Sequence, residues 1–487
     1  FYYRRKFHYP LTELLSNRAL RNFRQGKIEK IVTDLTLAYN LELVDWQVFS
    51  AYLEQDKRKI AGELTKPEIE GALKKLSEYL KPQSIIGATR LRQFTSLYER
   101  KAKLANVSIE EVENKVNRYL RAVSLEYENI EKTLLDLNRF AEGVSLFPYR
   151  DINYKLSENE AAIWYYLDET AGKNIAIIIR EDKEPTAIEL NKLNLSHFDD
   201  FYKDFYEGNA PWIPVNLYDS MFAPLEDYLE GIRRIYFLPI IRKNGEFSNI
   251  IANFPLWILQ NKHGDFLIQR FEIAVLLNLR AFSLRKSSAD ESRLDKKMLI
   301  IGNPTGDLEN SLIEAQKIRK IAEKHGINVE FLSLDSASRD KVIELLSEGG
   351  FRYIHFSTHG LAHSGDPLFS SLLLKDWDFL TAADILLAAN LNGTKLVTLS
   401  TCESGDIYSI GGENLGLARS FLAAGASAVI GGIGPVWDNL CQKIFPTFYE
   451  SLLDSTEEDI VSLWAQICRD EMNKKISPLA LRFALYV

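Results

Sequence analysis

Between residues 298 and 435 short apolar runs alternate with amphipathic stretches, and this alternation limits the fold more than any other feature. Met298–Ile301, Val329–Leu334, Tyr353–Phe356, Leu396–Ser400 and Ala428–Gly431 read as strands. The segment carrying Ile313, Ile318 and Ile321, then Arg339–Leu346 and Glu413–Ala423, read as helices. Each crossover between parallel strands needs a connection of helix length, so the pattern calls for a mostly parallel sheet with helices on both faces. Arg234–Pro239 is a further continuous apolar run, as expected of a strand buried on both faces. Ile163–Tyr166, Ile175–Ile179 and Thr186–Leu190 are short β-rich runs separated by turn residues and read as a meander. Helices near 436–453 and 457–474 close the chain. The glycine-rich stretch Leu417–Trp437 has the length of a membrane span but reads better as a buried helix and a buried strand joined by a turn.

The front of the chain differs. Thr65-Lys66-Pro67-Glu68 and Ser108-Ile109-Glu110-Glu111 are helix starts, each pairing a hydroxyl with a carboxylate three residues on. Val112, Val116, Tyr119, Val123, Tyr127, Ile130, Leu134 and Leu137 then alternate by threes and fours along one long amphipathic helix. Residues 1–145 are therefore expected to be all-α, as a plain bundle or a degenerate helical repeat. Charge divides similarly: residues 1–140 hold 25 basic and 19 acidic side chains, the remainder 34 and 48. The whole chain carries −8, which argues against a protein built mainly to coat nucleic acid. Three cysteines in 487 residues exclude a disulfide framework and suggest a reducing, cytoplasmic setting. No signal peptide opens the chain at Phe1, and a piece before it is expected to be missing.

Chemistry concentrates after two of the strands. Three of the seven histidines, His355, His359 and His363, fall within nine residues. His355 lies within its strand and is expected to pack or support. His359 falls just past the carboxyl end, where open α/β sheets bind ligands. Cys402 occupies the same place after Leu396–Ser400. If the two strands are neighbours, an imidazole and a thiol meet at one rim. A nearby base raises the thiolate fraction or takes the proton during attack. Gly360 would let the backbone approach a substrate carbonyl, and the Cys402 amide is a natural second donor to an oxyanion. Spacing alone leaves Cys402 open between a nucleophile and a buried structural thiol. Cys441 and Cys468 fall within helices and read as core. His363 is either near substrate or a plain surface position. No metal is expected: a spacing of four does not converge three imidazoles across a strand-to-loop junction. Nor does any glycine-rich turn carry a Gly-Lys-Ser/Thr phosphate cradle.

Ser357-Thr358-His359-Gly360, Asp366 through Leu374, Leu380 through Leu386, Leu399 through Gly405, Gly411-Gly412-Glu413-Asn414 and Leu417 through Ala426 resemble, as an ordered set, the CHAT domain. This is the caspase-like peptidase domain often attached to tetratricopeptide repeats. Gly302 through Leu308 and Ala223 through Leu229 extend the match, so that it covers roughly 150–487. The resemblance implies a clan-CD cysteine endopeptidase with His359 as base, Cys402 as nucleophile, and the Gly360 and Cys402 amides as the oxyanion hole. It implies no cofactor. It also implies an internally duplicated fold, divided into residues 1–145 (helical partner-binding region), 146–297 (a half without the dyad) and 298–487 (the catalytic half). Members of this family include the peptidase partner of a type III-E CRISPR effector and peptidases beside bacterial gasdermins. A helical front followed by this domain is compatible with the first, and so with a role in antiviral defence. Two stretches depart from the family pattern: Gly434-Pro435-Val436-Trp437-Asp438 after the last strand of the alternating series, and Pro239 through Gly245.

The expected partners are a protein substrate and a regulatory protein or ribonucleoprotein bound through residues 1–145, with no membrane. Glu403, Asp406 and Asp438 lie in loops near the expected cleft and would favour a basic or long unbranched side chain before the scissile bond. Latency until a partner binds is expected of a peptidase with a basic helical front. Direct RNA contact would use Arg4, Arg5, Lys6, Arg18, Arg21, Arg24 and Lys27. The rival reading is a catalytically silent caspase-like scaffold that binds peptide or RNA–protein partners.

Overall fold

The computed structural model describes residues 156–168, 173–181, 183–194, 198, 217–243, 253–277, 297–363, 367–410, 413–455, 459–473 and 482–487. The helical expectation for residues 1–145 and the basic positions from Arg4 to Lys27 lie outside them, as do Asp366, Gly411 and Gly412.

The strands are β1 (Glu160–Asp168), β2 (Lys173–Arg180), β3 (Thr186–Glu189), β4 (Arg234–Phe237), β5 (Ile241–Lys243), β6 (Glu272–Val275), β7 (Lys297–Gly302), β8 (Asn328–Ser333), β9 (Tyr353–Ser357), β10 (Gly360–Leu361), β11 (Ser371–Leu373), β12 (Phe379–Thr381), β13 (Leu396–Ser400), β14 (Tyr408–Ile410), β15 (Glu413–Leu415), β16 (Val429–Gly432) and β17 (Phe483–Tyr486). Twelve of them form one sheet in the order β3-β2-β1-β4-β6-β17-β16-β13-β9-β7-β8, with β5 also pairing β1. Neighbours from β1 through β4 and β6 to β17 are parallel, as are those from β16 through β13, β9 and β7 to β8. β1, β2 and β3 pair antiparallel, as a meander requires. The sheet is thus large, mixed and mostly parallel, in an α/β fold.

Beyond the β1–β2–β3 meander, strand direction reverses once, at a seam where β17 pairs antiparallel with β16 and parallel with β6. The strands on the two sides of this seam therefore end at opposite edges of the sheet. Where β7, β9 and β13 end, β6 begins. β17 was not expected from sequence, because four apolar residues near the chain end carry no usable periodicity.

Among the described residues, six helices of seven residues or more flank the sheet: α1 (Glu309–Lys324), α2 (Arg339–Glu348), α3 (Ala382–Ala388), α4 (Leu417–Ala423), α5 (Asp438–Asp454) and α6 (Ile460–Asn473). Adjacent strand residues point to opposite faces, and β9 shows which helices cover which face. His355 meets Phe445 and Tyr449 of α5, whereas Phe356 meets Phe421 of α4. α1, α5 and α6 pack in sequence on the first face; α2, α3 and α4 pack together on the second. Ile300, Ile354, Val397 and Leu399 are fully buried between these layers. Each contributes about 1.5–3 kcal/mol through burial, an upper bound because unfolded chains already bury some surface.

Local signals account for the helix starts. Ser338 caps α2 by accepting from the Lys341 amide. Thr381 and Asp384 form a reciprocal capping box at α3, and Arg339 pairs with Asp384 at 2.7 Å. One helix expectation is corrected. Residues 413–415 are not helical but pair as β15 with β14, and α4 begins at Leu417. Gly416 separates them at φ +153°, pressed so close that a Cβ would lie 2.3 Å from the Asp406 carbonyl oxygen. The stretch Leu417–Trp437 supplies α4 and β16, as expected. Among the described residues no helix is long and apolar enough to cross a membrane.

Candidate active site

β9 and β13 are sheet neighbours, with Ser357 opposite Ser400. His359 and Cys402 each lie two residues past this pair, so the register brings both turns to one rim. Gly360 shows how closely they approach. A Cβ there would fall 2.1 Å from the Cys402 carbonyl oxygen and 2.8 Å from Thr401 Oγ1. Only glycine fits a contact this close. The His359 turn is further tied to β11: Leu373 N donates to the His359 carbonyl at 3.0 Å, and Thr358 Oγ1 donates to the Leu373 carbonyl at 2.6 Å.

His359 Nε2 lies 2.8 Å from Asp307 Oδ2, and the His359 ring stacks on Trp377 at 5.5 Å between centroids. Asp307 sits in the turn after β7. Asn303 N donates to the Ser357 carbonyl at 2.9 Å, and Asn303 Oδ1 accepts from the Leu308 amide at 2.9 Å, so this turn is fastened to β9. Thr305 Oγ1 donates to the other Asp307 oxygen at 2.5 Å. Burial pushes the Asp307 carboxyl upward. The hydrogen bond and charge of His359 outweigh it, aided by Thr305, and the group ends below its usual range. An ionised carboxylate only accepts, so the proton on neutral His359 resides at Nε2 and the lone pair at Nδ1. Asp307 belongs to the motif Gly302 through Leu308, but nothing in the sequence signals this contact, which spans 52 residues of chain.

Cys402 is half-buried beneath the loop that follows β16. Val436 N donates to its Sγ at 3.5 Å, and the Val436 carbonyl lies 3.7 Å from the sulfur. The thiol loop is braced on several sides. Glu403 N donates to the Gly434 carbonyl at 2.8 Å and its carboxylate accepts from the Ala362 amide at 2.9 Å. Ser404 Oγ accepts from Gly432 N at 3.0 Å. Tyr486 of β17 donates to the Gly405 carbonyl at 2.5 Å. Buried Asn253, in the connection leading to β6, bonds both backbone groups of Ile407, at 2.6 and 2.8 Å. The seam makes this bridge possible by bringing the start of β6 to the edge where β13 ends.

The three carboxylates expected around the cleft differ in setting. Glu403 lies at the rim, bound to Ala362. Asp406 is buried and accepts from the Gly434 amide at 3.0 Å. Asp438 does not lie in a loop: it is the half-buried first residue of α5. The three histidines do not converge. His355 is buried beside Glu314 at 3.1 Å and Thr398 Oγ1 at 2.6 Å. His363 is buried with its ring against Phe369. Cys441 and Cys468 are both core. Burial raises the Cys441 thiol well above its usual range and pushes Cys468 up to about 12.

Backbone strain gathers at the same rim. The left-handed non-glycine residues of the described chain are Asn303, Leu334, Asp376, Trp377 and Glu403. All occupy turns around His359 and Cys402, and strain of this kind costs about 1–3 kcal/mol per residue unless its surroundings enforce it.

Residues 215–463, just over half of the chain, match the family model described as the CHAT domain. No curated protein matches the sequence. Among solved structures, the separase–securin complex of Saccharomyces cerevisiae is similar at TM-score 0.45 and 11% identity, covering 97% of this chain and 44% of the separase-complex chain it matches. The complex of RgpB pro- and mature domains from Porphyromonas gingivalis is similar at TM-score 0.36 and 10% identity, covering 60% of this chain and 68% of that one. This chain thus spans less than half the length of the first of these. The family match fits both the fold and the ordered motifs, and the chain belongs to the CHAT domain family.

Proposed function

We propose that this protein is a cysteine endopeptidase acting through His359 and Cys402. The observation that carries the proposal is the backbone contact at Gly360, which joins the imidazole turn to the thiol turn, together with the Asp307 bond that leaves His359 Nδ1 as the basic nitrogen. Nδ1 takes the Cys402 proton as sulfur attacks the scissile carbonyl. The Gly360 and Cys402 amides donate to the developing oxyanion. Asp307 and the face of Trp377 stabilise the imidazolium. Nδ1–H then protonates the leaving amine as the C–N bond breaks, giving a thioester. Water, deprotonated by the same nitrogen, attacks the thioester and releases the acid and the thiol.

Glu403 and Asp438 support a preference for a basic or long unbranched side chain before the scissile bond. Asp406 supports it only indirectly, by holding Gly434 in place. A protein or ribonucleoprotein partner bound through residues 1–145 would control access to the site. The resemblance and the basic balance of that region support this part.

The test is covalent labelling by a thiol-reactive peptide inhibitor, read by intact mass, alone and with host lysate. One adduct is expected, absent in Cys402→Ala and slowed in His359→Ala. An adduct seen only with lysate would locate the activator there. No adduct in either condition would favour the silent-scaffold reading.

A further inference from the structure

Two of the left-handed rim residues are large and apolar, which is unusual. A left-handed backbone crowds Cβ, so glycine and asparagine take it at little cost while leucine and tryptophan do not. Leu334 has φ +46° and Trp377 φ +59°. Leu334 is also 44% exposed, one of the few large apolar side chains so open among the described residues. Its Cδ2 lies 3.6 Å from where a Gly306 side chain would begin, one residue before Asp307. Its turn, Leu334–Ser336, packs against the turn Lys375–Trp377. Lys375 N donates to the Ala337 carbonyl at 3.1 Å, and Lys375 Nζ pairs with Asp335 at 3.1 Å. Trp377 lies flat on His359. Two packed turns thus carry Trp377 on the imidazole and Leu334 beyond it.

Sheet order tells which side of the substrate these turns would meet. Along β13, β9, β7 and β8 the rim presents Cys402, then His359, then Asp307, then Leu334. The acyl part of a substrate joins the sulfur, whereas the leaving amine receives its proton from the imidazole. The departing segment therefore lies on the side where Leu334 and Trp377 stand.

We propose that Leu334 and Trp377 form a subsite for an apolar side chain on the substrate residue immediately after the scissile bond. The proposal rests on the peptidase reading of His359 and Cys402. A substrate side chain seated there removes Leu334 from water, which gives the strained leucine a use that asparagine would lack.

The first test profiles cleavage of a proteome-derived peptide library by the full chain, with its activator if one is needed. Leu, Ile, Met or Phe is expected after the cut bond, and Leu334→Asn is expected to lose that selection by about tenfold while its melting temperature rises. Cleavage with no apolar selection after the bond, or selection that survives both Leu334→Asn and Trp377→Gly, overturns the subsite and leaves the peptidase reading intact. A second test needs no cleavage. Leucinamide and glycinamide are titrated into Cys402→Ala protein, with the Trp377 contribution to fluorescence as the readout. Preference for leucinamide that disappears in Leu334→Asn supports the apolar pocket; if no peptide is cut as well, the pocket stands and its place after a scissile bond falls with the peptidase reading. Equal responses to the two amides overturn the pocket.

Discussion

His355 and His359 are four residues apart on one stretch of chain, and each faces a carboxylate, yet they do opposite work. His355 and Glu314 are both 0% exposed, beneath the sheet between α1 and α5. His359 and Asp307 are 16% and 26% exposed, at the rim. Burial dominates Glu314 and raises its carboxyl, against the opposing influence of nearby His355, Ser400 and Ser357. At Asp307 the bond to His359 prevails over a milder burial, and the carboxyl is lowered. The inner pair is enclosed by Thr398, Tyr449 and Phe445, so it ties α1 and α5 to the sheet without reaching solvent. The outer pair can meet a substrate and exchange a proton. Depth, more than residue type, separates the framework pair from the reactive one.

The widest separation is expected from removing each imidazole. His359→Ala should lower kcat/KM for a cleaved peptide by about 10²–10⁴-fold and leave the denaturation midpoint close to that of the unaltered chain. His355→Ala should do the reverse, costing about 3–5 kcal/mol of stability because it strands Glu314 in the core. Urea titration and steady-state kinetics on both variants check this. If His355→Ala lost activity at full stability, the framework role would be wrong.

A double replacement sharpens the same contrast. Glu314→Leu with His355→Leu should recover much of the stability that His355→Ala loses, since a well-packed apolar pair is often as stable as a buried polar one. Retention of the deficit in a double-mutant cycle would mean that Thr398 and Tyr449 need the imidazole itself.

Asp307→Asn should lower kcat by about 10²-fold with little change in KM. An amide can present its NH₂ to Nε2 and so favour the wrong tautomer. An unchanged kcat would remove Asp307 from the mechanism.

Smaller effects concern pH. Asp307 has a lowered pKa in the folded chain, so its contribution to stability is present above the ordinary aspartate range and lost as pH falls through the folded value. Asp307→Asn should flatten that acid limb. The surface pair His325–Asp454 should behave in mirror image on the basic side. Asp454 raises His325, so its contribution is full below the ordinary histidine range and fades as pH rises through the folded value. Thermal melts of His325→Gln across pH 5–9 should show the smallest effect of the series.

The site was legible where chemistry-bearing residues follow continuous apolar runs. Tyr353–Phe356 and Leu396–Ser400 read as buried strands, and a rare histidine and a cysteine directly after them were conspicuous without any structure. Contacts made by residues distant in sequence left no such mark. Asp307 reaches His359 across two strands, Val436 meets the sulfur from another loop, and Asn253 braces the thiol loop from the far side of the seam. The reading of 413–423 as one helix failed because the break depends on the Asp406 carbonyl pressed against Gly416. Asp406 looked like an open carboxylate because nothing local announces the amide it accepts from.

By itself the sequence determined the layering of sheet and helices and the two strand ends that carry His359 and Cys402; the need for glycine at 360 comes from the Cys402 carbonyl pressed against it, a contact between distant turns. Periodicity and local turn chemistry are properties of neighbouring residues, and they survive without a fold. Only the tertiary structure decided that β9 lies beside β13, that the strands reverse at β17, which carboxylate each histidine faces, and which loop covers the thiol. Those outcomes depend on packing between segments tens to hundreds of residues apart, where burial and close approach of backbones select one arrangement among many that the local pattern allows.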